Sequence, residues 1–119
     1  MIVAVFRRRL KEGAEFADFV EAWEAEKGFG VPARVFNAVS VDDPREILSI
    51  GFVDIDASAL PGAAGDVADQ ESVRHSRIDA VIESTILRGF YDLRTEHDFS
   101  GEPRQVELAS DGSMLASLR

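Results

Sequence analysis

The chain opens with an apolar run that passes directly into three arginines: residues 3 to 10 read VAVFRRRL, the pattern of a first strand. From residue 14 to 27 the period changes. Phe16, Phe19, Val20 and Trp23 recur at i, i+3, i+4 and i+7, with Glu15, Asp18, Glu21 and Glu24 on the other side, which predicts an amphipathic helix. Gly28 suits the left-handed position just past its end, Phe29 folding back on Trp23 completes a stop, and Val31 before Pro32 is biased towards extended geometry. KGFGVP is thus a helix stop rather than a phosphate loop. Two strands follow, 34 to 41 and 47 to 55, joined by a turn in which Asp43 takes the first place and Pro44 the second. The small residues of 57 to 66 predict a loop or short broken helix. A second helix is expected over 69 to 83, burying Ile78, Val81 and Ile82, and a last strand over 86 to 94. Beyond Phe99 the tail turns polar, and only 106 to 108 and 114 to 118 could dock on anything.

The order β-α-β-β-α-β predicts an α+β, ferredoxin-like fold: a four-stranded antiparallel sheet with both helices on one face. Residues 1–99 form this domain, and 100–119 a tail that could dock on a partner subunit. Side chains alternate across each strand. Giving the bulkier apolar set to the helices puts Ala4, Phe6, Leu10, Phe36, Ala38, Leu48, Ile50, Phe52, Leu87, Tyr91 and Leu93 beneath them. The opposite face then holds Val3, Val5, Arg7, Arg9, Val35, Asn37, Val39, Ser49, Val53, Arg88, Phe90 and Asp92. Such a face is too apolar for water and too charged for a core. It suits a homodimer whose sheets meet through Val5, Arg7, Val39 and Phe90, a ligand cavity, or both. Arg8, on the helix side, is expected to snorkel to solvent where the strand leaves the sheet.

Composition narrows the partners. With 22 acidic and 13 basic residues the net charge is -9, which disfavours nucleic acid and anionic membranes. No apolar run approaches the roughly 20 residues needed to span a bilayer, and the start of the chain is wrong for a signal peptide, so a cytoplasmic location is expected. The absence of cysteine excludes disulfides, thiolate chemistry and Cys-based metal sites. No GxSxG, GxxxxGK[ST] or GxGxxG occurs.

The short first strand ending in KEG (Lys11 to Gly13), EFADFVEAW, the hairpin turning on DDP, the RIDAVIE helix and the closing strand together resemble the dimeric α/β-barrel superfamily. The likeness is to its antibiotic-biosynthesis-monooxygenase-like domains and covers residues 1 to 99. The resemblance implies two subunits joined sheet to sheet, each with a pocket between its sheet and its helices. It also implies either cofactor-free oxidation of a quinol-type or other aromatic molecule, or a non-catalytic dimeric module that binds a small ligand. Haem-degrading members carry a first-strand asparagine that is missing here, and the single tryptophan is Trp23, so that branch does not fit; no cofactor is expected.

On this reading Arg88 stabilises a phenolate or enolate, and His75 or a carboxylate is the base. Asn37 orients a carbonyl, with Ser49, Phe90 and Asp92 lining the ligand site. The plainer alternative weighs more for Arg88, because structural ion pairs populate such faces: a salt bridge across the interface to the partner subunit's Asp92. A helix-surface histidine without a chemical role is likewise the plainer account of His75. Neither His75 with Asp79 nor Glu96-His97-Asp98 shows a third convergent ligand, so no metal site is expected.

Overall fold

In the computed structural model the described residues are 1–23, 31–59, 76–108 and 110–118. β1 (Ile2–Leu10) leads to α1 (Phe16–Trp23), then β2 (Ala33–Val39), β3 (Glu46–Val53), a 3-10 turn (Ala57–Ala59), helical residues 76–79 and β4 (Ile82–Asp92). The four strands form one sheet in the order β2-β3-β1-β4, with every pairing antiparallel. This is the ferredoxin-like arrangement, with β1 and β3 in the middle. The stop at Gly28 and Phe29 and the first part of the helix expected over 69 to 83, His75 included, lie outside the described residues.

Local chemistry explains the joints. The amide of Ala14 donates to the Lys11 carbonyl at 3.0 Å, and Gly13 occupies the third position of that turn at φ 86°, where a side chain would be strained. Helix α1 is then capped by Asp18, whose carboxylate accepts from the Glu15 amide at 2.8 Å, one half of a capping box. The hairpin turn is the one expected. The Glu46 amide donates to the Asp43 carbonyl at 3.1 Å around Pro44, and the Asp43 side chain accepts from the Arg45 amide at 2.9 Å.

Among the described residues a buried cluster lies at one end of the sheet, where Leu10, Phe19, Ile47, Ile78 and Ile82 are buried and Ala14, Phe16, Trp23 and Val81 pack around them; Ile2 and Ala4 are buried towards the other end of β1. Val20, expected on the buried stripe, is half exposed, so the apolar arc of α1 is narrower than its spacing suggests. Helical backbone ends at residue 79 rather than at 83, and Ile82 and Glu83 already belong to β4. Pairing with β1 prevails there over helical spacing. The Lys11 amide takes the Val81 carbonyl at 3.0 Å, and Ile82 pairs with Leu10. Ile82 remains buried in either geometry, which is why the pattern could not tell them apart.

The polar tail carries a small hairpin of its own, β5 (Glu96–Asp98) with β6 (Arg104–Val106), which joins residues on both sides of Phe99. The stretch after β6 is latched to it by Glu96. One carboxylate oxygen accepts from the Ser113 hydroxyl at 2.6 Å and the other from the Met114 amide at 3.0 Å, while Val106 and Ser113 are buried. The Ser113 hydroxyl first, then the Met114 amide, hold the Glu96 carboxyl below its ordinary range. A carboxylate so depressed stabilises docking above its unfolded pKa and loses that contribution as pH falls through the folded value. Hydrogen exchange at the Met114 amide, corrected for intrinsic rate, is expected to show protection near neutrality that fades on acidification. Glu96→Gln should lose protection already at neutral pH; unchanged protection in that variant would remove the latch.

Candidate functional site

The registers decide which way each strand faces. Antiparallel partners share a face, and the rung running Asn37, Ser49, Phe6, Arg88 crosses all four strands. The next rungs are Val39, Ile47, Arg8, Thr85 on one side and Val35, Gly51, Ala4, Phe90 on the other. Since Ile47 and Leu10 are core residues packed with Phe19 and Ile78, this is the helix face.

The expected division of faces therefore holds for β1 and is inverted for the hairpin and the last strand. Asn37, Val39, Ser49, Arg88, Phe90 and Asp92 lie on the helix side with Phe6 and Arg8. Val5 and Arg7 lie on the other side with Phe36, Leu48, Ile50, Phe52, Leu87 and Tyr91. Val39 and Phe90 thus do not share a face with Val5 and Arg7. The physical reason is that both faces are apolar. The bulkier set covers the side away from the helices, while smaller and polar residues leave room beneath them.

That room is a cleft of about 210 Å³ lined by Phe6, Arg8, Ile78, Asp79, Thr85 and Arg88. Phe6 stands at its centre. The Arg8 guanidinium carbon lies 4.5 Å and that of Arg88 5.7 Å from the ring centroid, both within cation–π range. The ring of Phe90 meets Phe6 edge-on at 6.4 Å and 85°. Arg8 is buried rather than snorkelling; its aliphatic stem and guanidinium lie on the helix face. Asn37 and Ser49 are joined by a 2.6 Å bond in which the serine hydroxyl donates to the amide oxygen. They share the rung of Phe6 but stand on the side away from β4. Asp92 is two rungs removed and pairs with Arg94 at 3.0 Å.

Of the residues expected to form a site, the cleft gathers Arg88, with Asn37, Ser49 and Phe90 on the same or the next rung. His75 lies outside the described residues. Phe6 and Arg8 were not expected in it, although the alternation of β1 had already placed both on the helix side. In the sequence Asp79 is only half of a weak metal pair, and Thr85 precedes the strand expected over 86 to 94, whereas β4 begins at Ile82. A β-bulge between Arg7 and Arg8, where the register skips Ile86, turns Thr85 onto the cleft face.

The arginine run divides three ways. Arg7 pairs with Glu46 at 2.9 Å, and Arg9 with Asp43 and, at 3.5 Å, Glu83; Arg8 enters the cleft. Hydrogen bonding to Glu46, then its charge, raises the pKa of Arg7, and the Arg45 amide, then Arg9, lowers that of Asp43. Among the described residues no group of three His, Asp or Glu side chains converges as metal ligands, and no helix is long and apolar enough to cross a membrane.

Strand order and cleft together define a ferredoxin-like α+β domain with a cationic, aromatic-floored recess between sheet and helix. No protein-family model matches the chain, and no curated protein matches it. Among solved structures it is similar to a protein of Chloroflexus aurantiacus J-10-fl provisionally named an antibiotic biosynthesis monooxygenase. The TM-score is 0.52 at 13% identity, over 82% of this chain and 96% of that one. The likeness to antibiotic-biosynthesis-monooxygenase-like domains holds at the level of the fold.

Proposed function

We propose that the chain is a small oxygenase-like enzyme that acts, without a cofactor, on an aromatic or quinol-type molecule held in the cleft of Phe6 and Arg88. The observation that carries this is the placement of Arg88 against Phe6, in the layer between sheet and helix. Asp79, which lines the same cleft from helical residues 76–79, is the carboxylate proposed to take a substrate proton; His75 is the alternative base. The cationic guanidinium stabilises the resulting phenolate or enolate. In the oxygenase reaction the electron-rich carbon bonds dissolved dioxygen. The peroxide then loses water, so that an anthrone CH2 and O2 become C=O and H2O, and a hydroquinone with one O2 becomes a hydroxyquinone and H2O. Oxygen uptake with a panel of hydroquinones and anthrones, with no metal or flavin added, tests the proposal. Uptake above the uncatalysed rate is expected, and a flat panel would leave the alternative of a non-catalytic ligand-binding module.

The same proposal includes a homodimer formed through the face away from the helices, with residues 1–99 as the domain and 100–119 appended to it. Support comes from the exposure of Phe36 and Tyr91 (each 51%) and Leu87 (41%) on a sheet face that carries Val5 at its centre. A contiguous apolar surface of this kind marks an association site. Tyr91 lies over Gly89, where an added Cβ would sit 3.0 Å from its ring, so the face is smooth and aromatic there. Light scattering at micromolar concentration should give twice the chain mass, and Leu87→Asp should halve it. A single-chain mass for the parent would end the dimer proposal.

A further inference from the structure

We infer that the two subunits of the proposed homodimer pair along their β4 edges, antiparallel and centred on Phe90, so that main-chain hydrogen bonds join the two sheets at that rim. The inference rests on the homodimer and deepens it. Its starting point is the exposure of β4. Strand order leaves β4 at the edge of the sheet, and its residues 83 to 88 and 90 to 92 are all exposed. Apolar side chains are open on both of its faces: Phe90 on the helix side, Leu87 and Tyr91 on the other. A partner packed on one face alone leaves the opposite side uncovered. A strand added at the edge covers both.

The backbone of β4 is set for this. The Leu93 amide donates to the Met1 carbonyl at 3.0 Å, so Leu93 points its main-chain groups at β1. Along the regular part of the pairing, Leu87 to Asp92, those groups alternate between the two sides of the strand. Leu87, Gly89 and Tyr91 therefore bond β1, and Arg88, Phe90 and Asp92 turn their amides and carbonyls outward. Among the described residues no other strand lies on that side. Side chains then choose the register. With the two-fold axis at Phe90, Phe90 meets the partner subunit's Phe90 and Arg88 meets the partner subunit's Asp92, each pair joining outward-facing residues. An axis at residue 88 or 92 would oppose like charges. One at 89 or 91 would set Asp92 against the partner subunit's Ile86 or the partner subunit's Phe90. On the other face the register at Phe90 sets Tyr91 opposite the partner subunit's Gly89. Each tyrosine already lies over the glycine of its own chain, so the two rings meet across the axis. Arg88 also contacts the Phe6 ring and Asp92 also pairs with Arg94, so these charges select the register rather than supply the strength.

The chain has no cysteine, so one introduced thiol reports alone. At the axis the two Cα atoms of a hydrogen-bonded antiparallel pair stand about 5.5 Å apart, within reach of a disulfide. Phe90→Cys should therefore form a covalent dimer on mild oxidation. Ser84→Cys, exposed on the same strand, should not, because its two copies stand roughly 40 Å apart along the antiparallel strands. Hydrogen exchange of the unaltered protein gives the second readout. The amides of Arg88, Phe90 and Asp92 should be protected at micromolar concentration and lose that protection on dilution to the monomer. Those of Leu87, Gly89 and Tyr91, bonded to β1, should stay protected throughout. A parent of twice the chain mass with no crosslink at 90 and rapid exchange at 88, 90 and 92 would overturn the edge pairing and leave a face-to-face homodimer. Equal crosslinking at 84 and 90 would overturn it as well. A single-chain mass for the parent would end both proposals.

Discussion

Phe19→Ala is expected to cost about 3–5 kcal/mol of stability, the loss typical of deleting a fully buried phenyl ring. Phe19 is wholly inaccessible and joins α1 to Leu10, Ile47, Ile78 and Ile82, residues drawn from two strands, the helical turn and the start of β4. Its ring also stacks on Phe16 at 6.3 Å and 23°. A single domain has a total stability of roughly 5–15 kcal/mol, so this one truncation can consume a third or more of it. Val20→Ala, one residue on, should change stability by no more than about 0.5 kcal/mol because Val20 is half exposed. Urea melts of the two variants measure the difference. Equal losses would mean that the apolar stripe of α1 is as wide as the sequence spacing implied, and that the helix is rotated from the orientation described.

Arg88→Ala is expected to have the second large effect, on the proposed oxygen uptake instead of stability. Removing a preorganised donor to a developing oxyanion costs about 10²–10³ in kcat. Arg88 lies on the edge strand, exposed, and its described contact is with the face of Phe6, so its loss should shift stability by less than about 0.5 kcal/mol. Steady-state oxygen uptake and a melt on the same preparation separate the two readouts. Full activity in Arg88→Ala would remove the arginine from the chemistry. A large loss of stability with activity falling in proportion would assign it a structural role.

Much of the fold was legible because each element carries a period of its own: the alternation of β1, the four apolar positions of α1, and the Asp43-Pro44 turn. What the pattern could not give was parity between strands. Each of Leu48, Ile50 and Phe52 looked like a core residue, yet they face away from the helices, because a sheet apolar on both sides offers no contrast from which to choose. The information lay in smaller residues. Ile47, Ser49 and Gly51 leave space beneath a helix that Leu48, Ile50 and Phe52 would fill. Arg88 was recognisable as a candidate under either parity. Its companions Phe6 and Arg8 became visible only once register set the four strands side by side, and Thr85 only once the bulge at Ile86 turned it inward. Arg8 illustrates the limit most sharply: a charged residue near a strand end ordinarily reaches water, and this one is buried beside an aromatic ring.

On the proposed function, ligand chemistry belongs to the helix face and association to the opposite one. Methyl NMR of the selectively labelled protein during a titration with unsubstituted hydroquinone tests it most directly. The Ile78 and Thr85 methyl signals should shift with saturation, while Ile50 and Leu87, on the other face, stay in place. Shifts confined to Ile50 and Leu87, with Ile78 and Thr85 unmoved, would contradict the account and return the site to the open side of the sheet.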